Sequence, residues 1–505
     1  MYEASAQHQQ PAVPVLGEQR LDEFLGAVPG QGHWRYRPRG LGMVWRSKAF
    51  RAGAVVTLLA LCGLVILALV REQTGTEGFL VGLGLAVLPV PLLMAAFRWL
   101  DRVDPGPWRN LLFAFAWGAC AAALVAIVAN TFATRWIATA TADAVSADTL
   151  GATVIAPVVE ESAKAAAVLL IFLFRGREFG SLVHGVVVAG FTATGFAFTE
   201  NILYLGNAFG EDQQLGTTGF ASATAGTFFV RAVMSPFAHP LFTVLTGIGF
   251  GLAALGGRRH RVRRVLLPLL GLVLAMGMHA AWNGASALGG LGFYAVYGAF
   301  MVPCFALVTW LAIWSRQREL RTLAAELPVY AAAGWLTPAE PLALASMRAR
   351  STARDVARRW NGHQDPARGA WAARAVAEYE SFATSLAVLR RRARHGGAEG
   401  DFAARERELL HHLWQRRDVA GPALTYAAQV TGRIRRPIPP VPPPVPPHLP
   451  RQYLYGHTAP VRPGGPVPAP HRHYGGHNPY LHGGHNLYLH PDGPAPGAAG
   501  TRPGC

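Results

Sequence analysis

The chain has 505 residues, of which 51% are hydrophobic and only 15% are charged. This composition is typical of a membrane protein with soluble appendages and argues against a single soluble domain. The net charge of +17 is concentrated beside the hydrophobic stretches and in the C-terminal third, which matches a cytoplasmic membrane face better than nucleic-acid binding. The four cysteines include no CxxC pair and indicate neither a disulfide framework nor a thiolate metal site.

The first segment, residues 1–46, is polar and contains several prolines. The hydrophobic stretch that follows it is too long and too poorly flanked for a cleavable signal peptide. We therefore predict that residues 1–46 form a cytoplasmic N-terminal tail.

Eight stretches between residues 47 and 315 are long and apolar enough to cross a bilayer, which requires about 20 residues per helix. They are approximately 52–70, 79–97, 110–130, 151–174, 181–206, 228–255, 265–287 and 291–314. The sequence therefore predicts an all-α, polytopic membrane helix bundle of about eight spans over residues 47–315.

The loops between these stretches set the orientation, because cytoplasmic loops carry an excess of Lys and Arg. If the N-terminus is inside, the cytoplasmic loops hold ten arginines, whereas the opposite loops hold only Arg71 and Arg135. This asymmetry predicts a multi-pass protein of the cell membrane with both termini in the cytoplasm.

The fourth stretch contains Glu160, Glu161 and Lys164. An ionisable residue inside a membrane span indicates a functional site by default. Helical spacing places Lys164 at i+4 from Glu160 and at i+3 from Glu161, so the lysine neutralises part of the negative charge. The remaining charge suits a site that positions water, a metal or a proton.

The next three stretches each carry polar residues: Glu200, Asn201, Arg231, His239, Thr243, His279 and Asn283. Counting about 1.5 Å per residue from the outer end of each span places Glu160, Glu200, His239 and His279 roughly 9 to 16 Å deep. Four antiparallel helices are therefore predicted to bring their polar side chains to one level in the outer half of the bilayer.

Several of these residues also have simple structural interpretations. A histidine in a membrane helix can be a packed, hydrogen-bonded group. Asn201, Thr243 and Asn283 are predicted to orient other groups or to tie helices together. Arg231 is predicted to pair with a carboxylate or to extend toward the membrane interface. The joint pattern, rather than any single residue, indicates one site.

Four motifs occur in order on consecutive spans: Glu160-Glu161-x-x-Lys164, Phe196-x-x-x-Glu200, His239-x-x-x-Thr243 and His279-x-x-x-Asn283. Together they resemble the PrsW intramembrane proteases of the larger CAAX-protease and bacteriocin-processing superfamily. The stretch 100–109 is also similar to that family, so the resemblance covers about residues 95–290. It implies an endopeptidase that cleaves a membrane-anchored protein, such as an anti-sigma factor, near the extracytoplasmic face.

The resemblance also implies roles for residues at matching motif positions. Its catalytic candidates are Glu160, Glu161, His239 and His279. Its supporting candidates are Lys164, Glu200, Asn201 and Asn283.

Two chemical accounts of the site remain open at the level of sequence. In the first, His239, His279 and Glu200 hold a zinc ion, which stabilises the reacting carbonyl while Glu160 or Glu161 acts as the base. In the second, no metal takes part: the paired glutamates activate water, and the histidines with Asn283 donate hydrogen bonds to the oxyanion.

Two other function classes use buried charges of this kind. An ion-coupled transporter would need polar positions along a path through both halves of the membrane, whereas the inner halves of spans four to seven are almost entirely apolar. A non-catalytic scaffold could bind membrane helices through the same polar cavity, and only an activity assay distinguishes it from a protease.

The chain beyond the eighth stretch is predicted to be cytoplasmic and helical over residues 316–434. Thr337-Pro338-Ala-Glu340 has the residues of a helix start, and helical patterns follow at about 341–360, 367–395 and 401–420. Residues 435–505 are rich in Pro, Gly and His and contain too little apolar material for a core, which predicts a disordered tail. The sequence does not identify a partner for its proline-rich segment.

Overall fold

The computed structural model describes residues 47–175, 179, 181–255, 261–394 and 402–434. The predicted tails, residues 1–46 and 435–505, lie outside the described residues. Within the described ranges the regular structure is entirely helical, and no strand occurs there. The predicted all-α class is therefore confirmed for this part of the chain.

Two compact units are present. The first contains the described residues up to Leu327 together with Ala383–Arg407, and the second contains Pro328–Phe382 and the described residues from Glu408 onward. The predicted division into 47–315 and 316–434 remains a prediction.

The first unit contains most of the apolar helices. Its first half consists of α1 (Lys48–Val87), α2 (Pro89–Leu100), α3 (Trp108–Ala116), α4 (Ala123–Thr141), α5 (Ala144–Leu150) and α6 (Ala156–Phe174). Its second half consists of α7 (Leu182–Leu215), α8 (Ala223–Phe228), α9 (Ala238–Leu255), α10 (Arg261–Ala285), α11 (Gly289–Val296) and α12 (Val302–Glu326).

Five helical stretches among the described residues are long and apolar enough to cross a membrane: Ala49–Leu100, Trp108–Thr141, Leu182–Leu215, Ala223–Leu255 and Arg261–Ala332. The predicted count of about eight is therefore not confirmed. Two of these stretches, of 52 and 72 residues, greatly exceed the roughly 20 residues that one crossing requires. Helix α6 is not among the five, since its 19 residues include three charged side chains.

Within the described residues, π-helical segments interrupt the helices of the first unit at Trp117–Ala122, Gly151–Ile155, Phe229–Met234 and Tyr297–Met301. Such segments occur frequently at functional sites, because each shifts the residues that follow it around the helix. The second leads directly into α6, and the third lies just before α9.

Helix α7 is the central helix of this unit: within its most apolar stretch, 94% of the residues are buried. Glycines allow its neighbours to approach closely. A methyl group added at Gly185 would overlap the backbone of Gly247 on α9, and one added at Gly195 would overlap the backbone of Phe115 on α3. This close packing fixes α7 against the helices that carry the other polar residues.

A buried carboxylate closes the turn between α2 and α3. Asp101 accepts hydrogen bonds from Arg98 Nη1 at 2.6 Å and from the Gly106 backbone N–H at 2.9 Å. Burial raises the pKa of Asp101 to about 6, although His184 and Arg98 act in the opposite direction. This turn lies within the stretch 100–109.

The second unit is built from the remaining helices: α13 (Pro328–Ala332), α14 (Glu340–Leu344), α15 (Met347–Gly362), most of α16 (Pro366–Arg392) and most of α17 (Phe402–Val430). The predicted single helix at 341–360 is wrong, because the helix is interrupted between Leu344 and Met347. The Ser346 hydroxyl accepts the Ala349 N–H at 3.4 Å and starts α15 as an N-cap.

Candidate active site

Helix α6 brings three charged side chains into the first unit. Pro157 lies in its first turn, where the missing N–H of proline costs no helical hydrogen bond. One turn later come Glu160, Glu161 and Lys164, and all three are buried. Charges removed from water in this way must be paired and hydrogen-bonded to be tolerated.

Glu161 is fully buried and has a partner at each carboxylate oxygen. Its Oε1 accepts Lys164 Nζ at 2.9 Å and lies 3.2 Å from His279 Nδ1. Its Oε2 accepts the Thr243 hydroxyl at 2.8 Å. Glu161 therefore joins α6 to both α9 and α10.

The His279 ring is fixed in two ways. Its Nδ1 faces Glu161, and its ring stacks on Phe242 with a centroid distance of 4.8 Å. Because the carboxylate can only accept, Nδ1 carries the proton in a neutral ring and Nε2 keeps its lone pair. Nε2 lies 4.0 Å from Glu160 Oε2.

His239 on α9 is oriented by Glu200 on α7. Its Nε2 lies 2.6 Å from Glu200 Oε2. Arg231 holds the same carboxylate oxygen through Nη2 at 2.5 Å and donates from Nε to Asn201 Oδ1 at 2.7 Å. The guanidinium also lies 4.0 Å from the Tyr204 ring centroid. This chain of contacts leaves His239 Nδ1 facing Lys164, whose Nζ lies 3.2 Å away.

Glu160 has fewer short contacts than the other carboxylates in the cluster. Its Oε2 lies 3.3 Å from Lys164 Nζ, and its Oε1 accepts a long hydrogen bond of 3.4 Å from Asn130 Nδ2. Its side chain is 9% exposed, whereas that of Glu161 is 0% exposed. Of the adjacent pair, Glu160 is therefore the one that a water molecule or a metal could reach.

One group of metal-ligating side chains occurs among the described residues: Glu160, His239 and His279 offer ligand atoms that all lie within 4.8 Å of one another. One carboxylate and two imidazoles match a catalytic zinc site with an open position. Each ring also gives its second nitrogen to a carboxylate: His239 to Glu200 and His279 to Glu161. Such second contacts are typical of metal-bound histidines, so the donor set fits a metal.

The structure thus brings together most of the residues that the sequence singled out. Nine of them form one connected network of hydrogen bonds and ion pairs: Glu160, Glu161, Lys164, Glu200, Asn201, Arg231, His239, Thr243 and His279. Asn283 lies apart from it: its Nδ2 donates to the Ala152 carbonyl at 2.8 Å. That contact ties α10 to the π-helical segment that precedes Glu160.

Two contacts of the site were not anticipated from the sequence. Asn130 on α4 donates to Glu160, and Trp117 Nε1 donates to the Ala163 carbonyl of α6 at 3.0 Å. Asn130 is a polar residue at the end of the third predicted span, which was a usable signal. Trp117 carried none, because a tryptophan in an apolar helix is ordinarily part of the lipid-facing or packed surface.

The comparison with family models gave a match over residues 106–308, to the family described as PrsW family intramembrane metalloprotease. No curated protein and no solved structure matched the chain. The matched range includes every residue of the network described above. With the apolar helices, it supports a multi-pass membrane protein whose segment 106–308 is similar to the PrsW family of intramembrane proteases.

Proposed function

We propose that this protein hydrolyses a peptide bond of a membrane-anchored protein near the extracytoplasmic face of the cell membrane, with an anti-sigma factor as one candidate substrate. The observation that carries the proposal is the convergence of Glu160, His239 and His279, whose ligand atoms lie within 4.8 Å of one another. The family match supports it.

We assign zinc to this group, with Glu160, His239 and His279 as its ligands. The ion would supply electrophilic stabilisation of the carbonyl oxygen and lower the pKa of a bound water. Glu200, named from sequence as the third ligand, is given a different role, because it contacts Nε2 of His239 and is held by Arg231.

We assign Glu160 as the general base that accepts the proton of the attacking water. Its Oε2 faces His279 and Lys164, whereas its Oε1 has only the 3.4 Å hydrogen bond from Asn130. A general base must lie within hydrogen-bond reach of the proton that it removes, and the lightly engaged Oε1 meets that requirement for a water in the cavity.

Glu161 is assigned a positioning role. Its two oxygens fix Lys164, Thr243 and His279, so a proton transferred to it would disrupt three contacts. Glu161 orients the His279 ring, and Glu200 orients the His239 ring in the same way.

The proposed arrangement across the membrane has both tails and the 256–264 loop in the cytoplasm, with residues 316–434 as a soluble helical region and 435–505 as a disordered tail. The basic loops support it. Residues 256–260 of that loop lie outside the described residues.

The function is tested by comparing the membrane proteins of cells that carry the wild type, Glu160→Gln or the exposed control Glu72→Gln. A truncated single-span protein should appear with the wild type and the control and be absent with Glu160→Gln. If no membrane protein differs, the protease assignment fails. An ion flux that depends on Glu160 in the same cells would favour a transporter.

A further inference from the structure

Lys164 lies at the centre of the site and is completely buried. Its Nζ is 2.9 Å from Glu161 Oε1 and 3.3 Å from Glu160 Oε2. It also lies 3.2 Å from His239 Nδ1 and 3.7 Å from the centre of the Phe196 ring. Two carboxylates, an imidazole and an aromatic face therefore surround one ammonium group.

Two of these contacts use atoms that the proposed metal would need. An ammonium has three donors and no acceptor, so it must donate to His239 Nδ1, which then accepts with its lone pair. The other nitrogen of this ring is already engaged by Glu200. Lys164 therefore donates to the Nδ1 lone pair of His239, which is the lone pair that this ring would use to bind a metal.

We infer that Lys164 is a built-in competitor of the metal: its ammonium contacts Glu160 Oε2 and His239 Nδ1, so a divalent ion binds only when these two contacts are broken. Lys164 would then set the metal affinity of the site. Such a device keeps the buried carboxylates neutralised when no ion is bound, because unpaired buried charges are costly.

The charges around the site lead to the same conclusion. Three carboxylates, Glu160, Glu161 and Glu200, face two fixed cations, Lys164 and Arg231. With neutral histidines, these groups have a net charge of −1. If Lys164 stays in place, a bound divalent ion changes the net charge to +1. If Lys164 is replaced by a neutral side chain, a divalent ion balances the remaining charges.

The inference deepens the proposed zinc site but can be tested without any substrate. Zinc affinity is measured by chelator competition on the full-length protein, purified in detergent after removal of metals. The variants are Lys164→Met, which keeps the length of the side chain, Lys164→Gln, and Arg135→Met as a control that removes an exposed positive charge on α4. Histidines of the C-terminal tail contribute equally to every variant and cancel in the comparison.

We expect Lys164→Met to bind zinc at least about tenfold more tightly than the wild type, because a unit charge at about 3 to 4 Å is only partly screened in a buried site. Arg135→Met should match the wild type, and the gain should disappear in Glu160→Gln/Lys164→Met. Zinc should also raise the melting temperature of Lys164→Met more than that of the wild type.

Equal or weaker zinc binding by Lys164→Met would overturn the inference, and so would a gain that survives in the double variant. If Lys164→Met does not fold, Lys164→Gln decides the question by the same criteria. Proteolysis that depends on Glu160, together with unchanged zinc affinity in the Lys164 variants, would refute this inference and leave the proposed function intact.

Discussion

Arg231 provides a sharp test of the account, because it acts on the site only through other residues. Replacing it with methionine removes the contacts to Glu200 at 2.5 Å and to Asn201 at 2.7 Å. Glu200 then keeps only one described partner, His239 Nε2. We therefore expect the His239 ring to lose its fixed orientation in Arg231→Met while the catalytic residues themselves stay unchanged.

The size of the effect follows from these contacts. A hydrogen bond to a charged group contributes about 1.5 to 3 kcal/mol. The Arg231 and Glu200 side chains are 20% and 17% exposed, so water replaces part of the lost interaction. We expect a loss of roughly 1 to 3 kcal/mol in transition-state stabilisation, which slows cleavage by about 5-fold to 160-fold. Lysine restores the charge but not the two-pronged geometry, so Arg231→Lys should recover part of the rate.

The substrate is the single-span protein that is truncated in wild-type cells but not in Glu160→Gln cells. The assay measures the initial rate of its truncation by the purified protein in liposomes. The loss should fall on kcat rather than on KM, since Arg231 is assigned no contact with substrate. Cleavage by Arg231→Met within twofold of the wild type, at an unchanged melting temperature, would refute the assigned link from Arg231 through Glu200 to His239.

Three further predictions concern other parts of the chain. In a cysteine-free background, Leu215→Cys should react with a membrane-impermeant maleimide from outside whereas His260→Cys should not; the reverse pattern would invert the proposed orientation. Burial raises the pKa of Glu380 to about 7 from its ordinary 4.5, despite the two nearby arginines. The protonated form of Glu380 is thus favoured in the folded state, so the free energy of unfolding of the second unit should fall by up to about 1.4 kcal/mol per pH unit as the pH rises from about 5 to 7. Melting curves of Glu380→Gln should show a smaller decline over this range. Equal declines in the wild type and Glu380→Gln would contradict the assigned cause. Deleting residues 436–505 should leave the rate of cleavage by the purified protein nearly unchanged, because the site's contacts among the described residues come from 117–283. A folded truncated protein without turnover would show that the tail takes part.

The convergence of polar residues from four helices followed from the sequence for a clear physical reason. Carboxylates and histidines in apolar spans must find partners, and Glu160, Glu200, His239 and His279 had similar calculated depths. Packing of neighbouring spans therefore brings these side chains into contact with one another. Close packing of α7 depends on its glycines, since small residues let membrane helices approach.

The pairing inside the cluster could not be read from spacing. The sequence favoured Glu200 as a ligand beside the two histidines, whereas the structure places the ligand atoms of Glu160 close to both rings and Glu200 behind His239. Two π-helical segments, Gly151–Ile155 and Phe229–Met234, precede α6 and α9, and an i+4 pattern does not reveal such departures from the regular helix. For the same reason, Asn130 could not be assigned to Glu160 in advance.

The number of spans was also beyond what hydropathy alone can define. Helix α1 runs from Lys48 to Val87 but kinks at Gly75, whose φ of 72° and ψ of 170° are not helical. A glycine readily adopts this conformation, and the kink lies in the predicted loop between the first two spans. Helix α6 is not among the five stretches because three charged side chains of the site lie within its 19 residues.

In the proposed function, Glu160 performs peptide hydrolysis within the membrane together with His239 and His279. The decisive experiment incubates the purified full-length protein with its purified single-span substrate in liposomes and maps the new termini by mass spectrometry. We expect a cut in the outer half of the substrate's membrane segment with the wild type and with Glu72→Gln, and no cut with a folded Glu160→Gln. Cleavage by Glu160→Gln at the wild-type rate, or a wild-type cut on the cytoplasmic side, would contradict the proposed function.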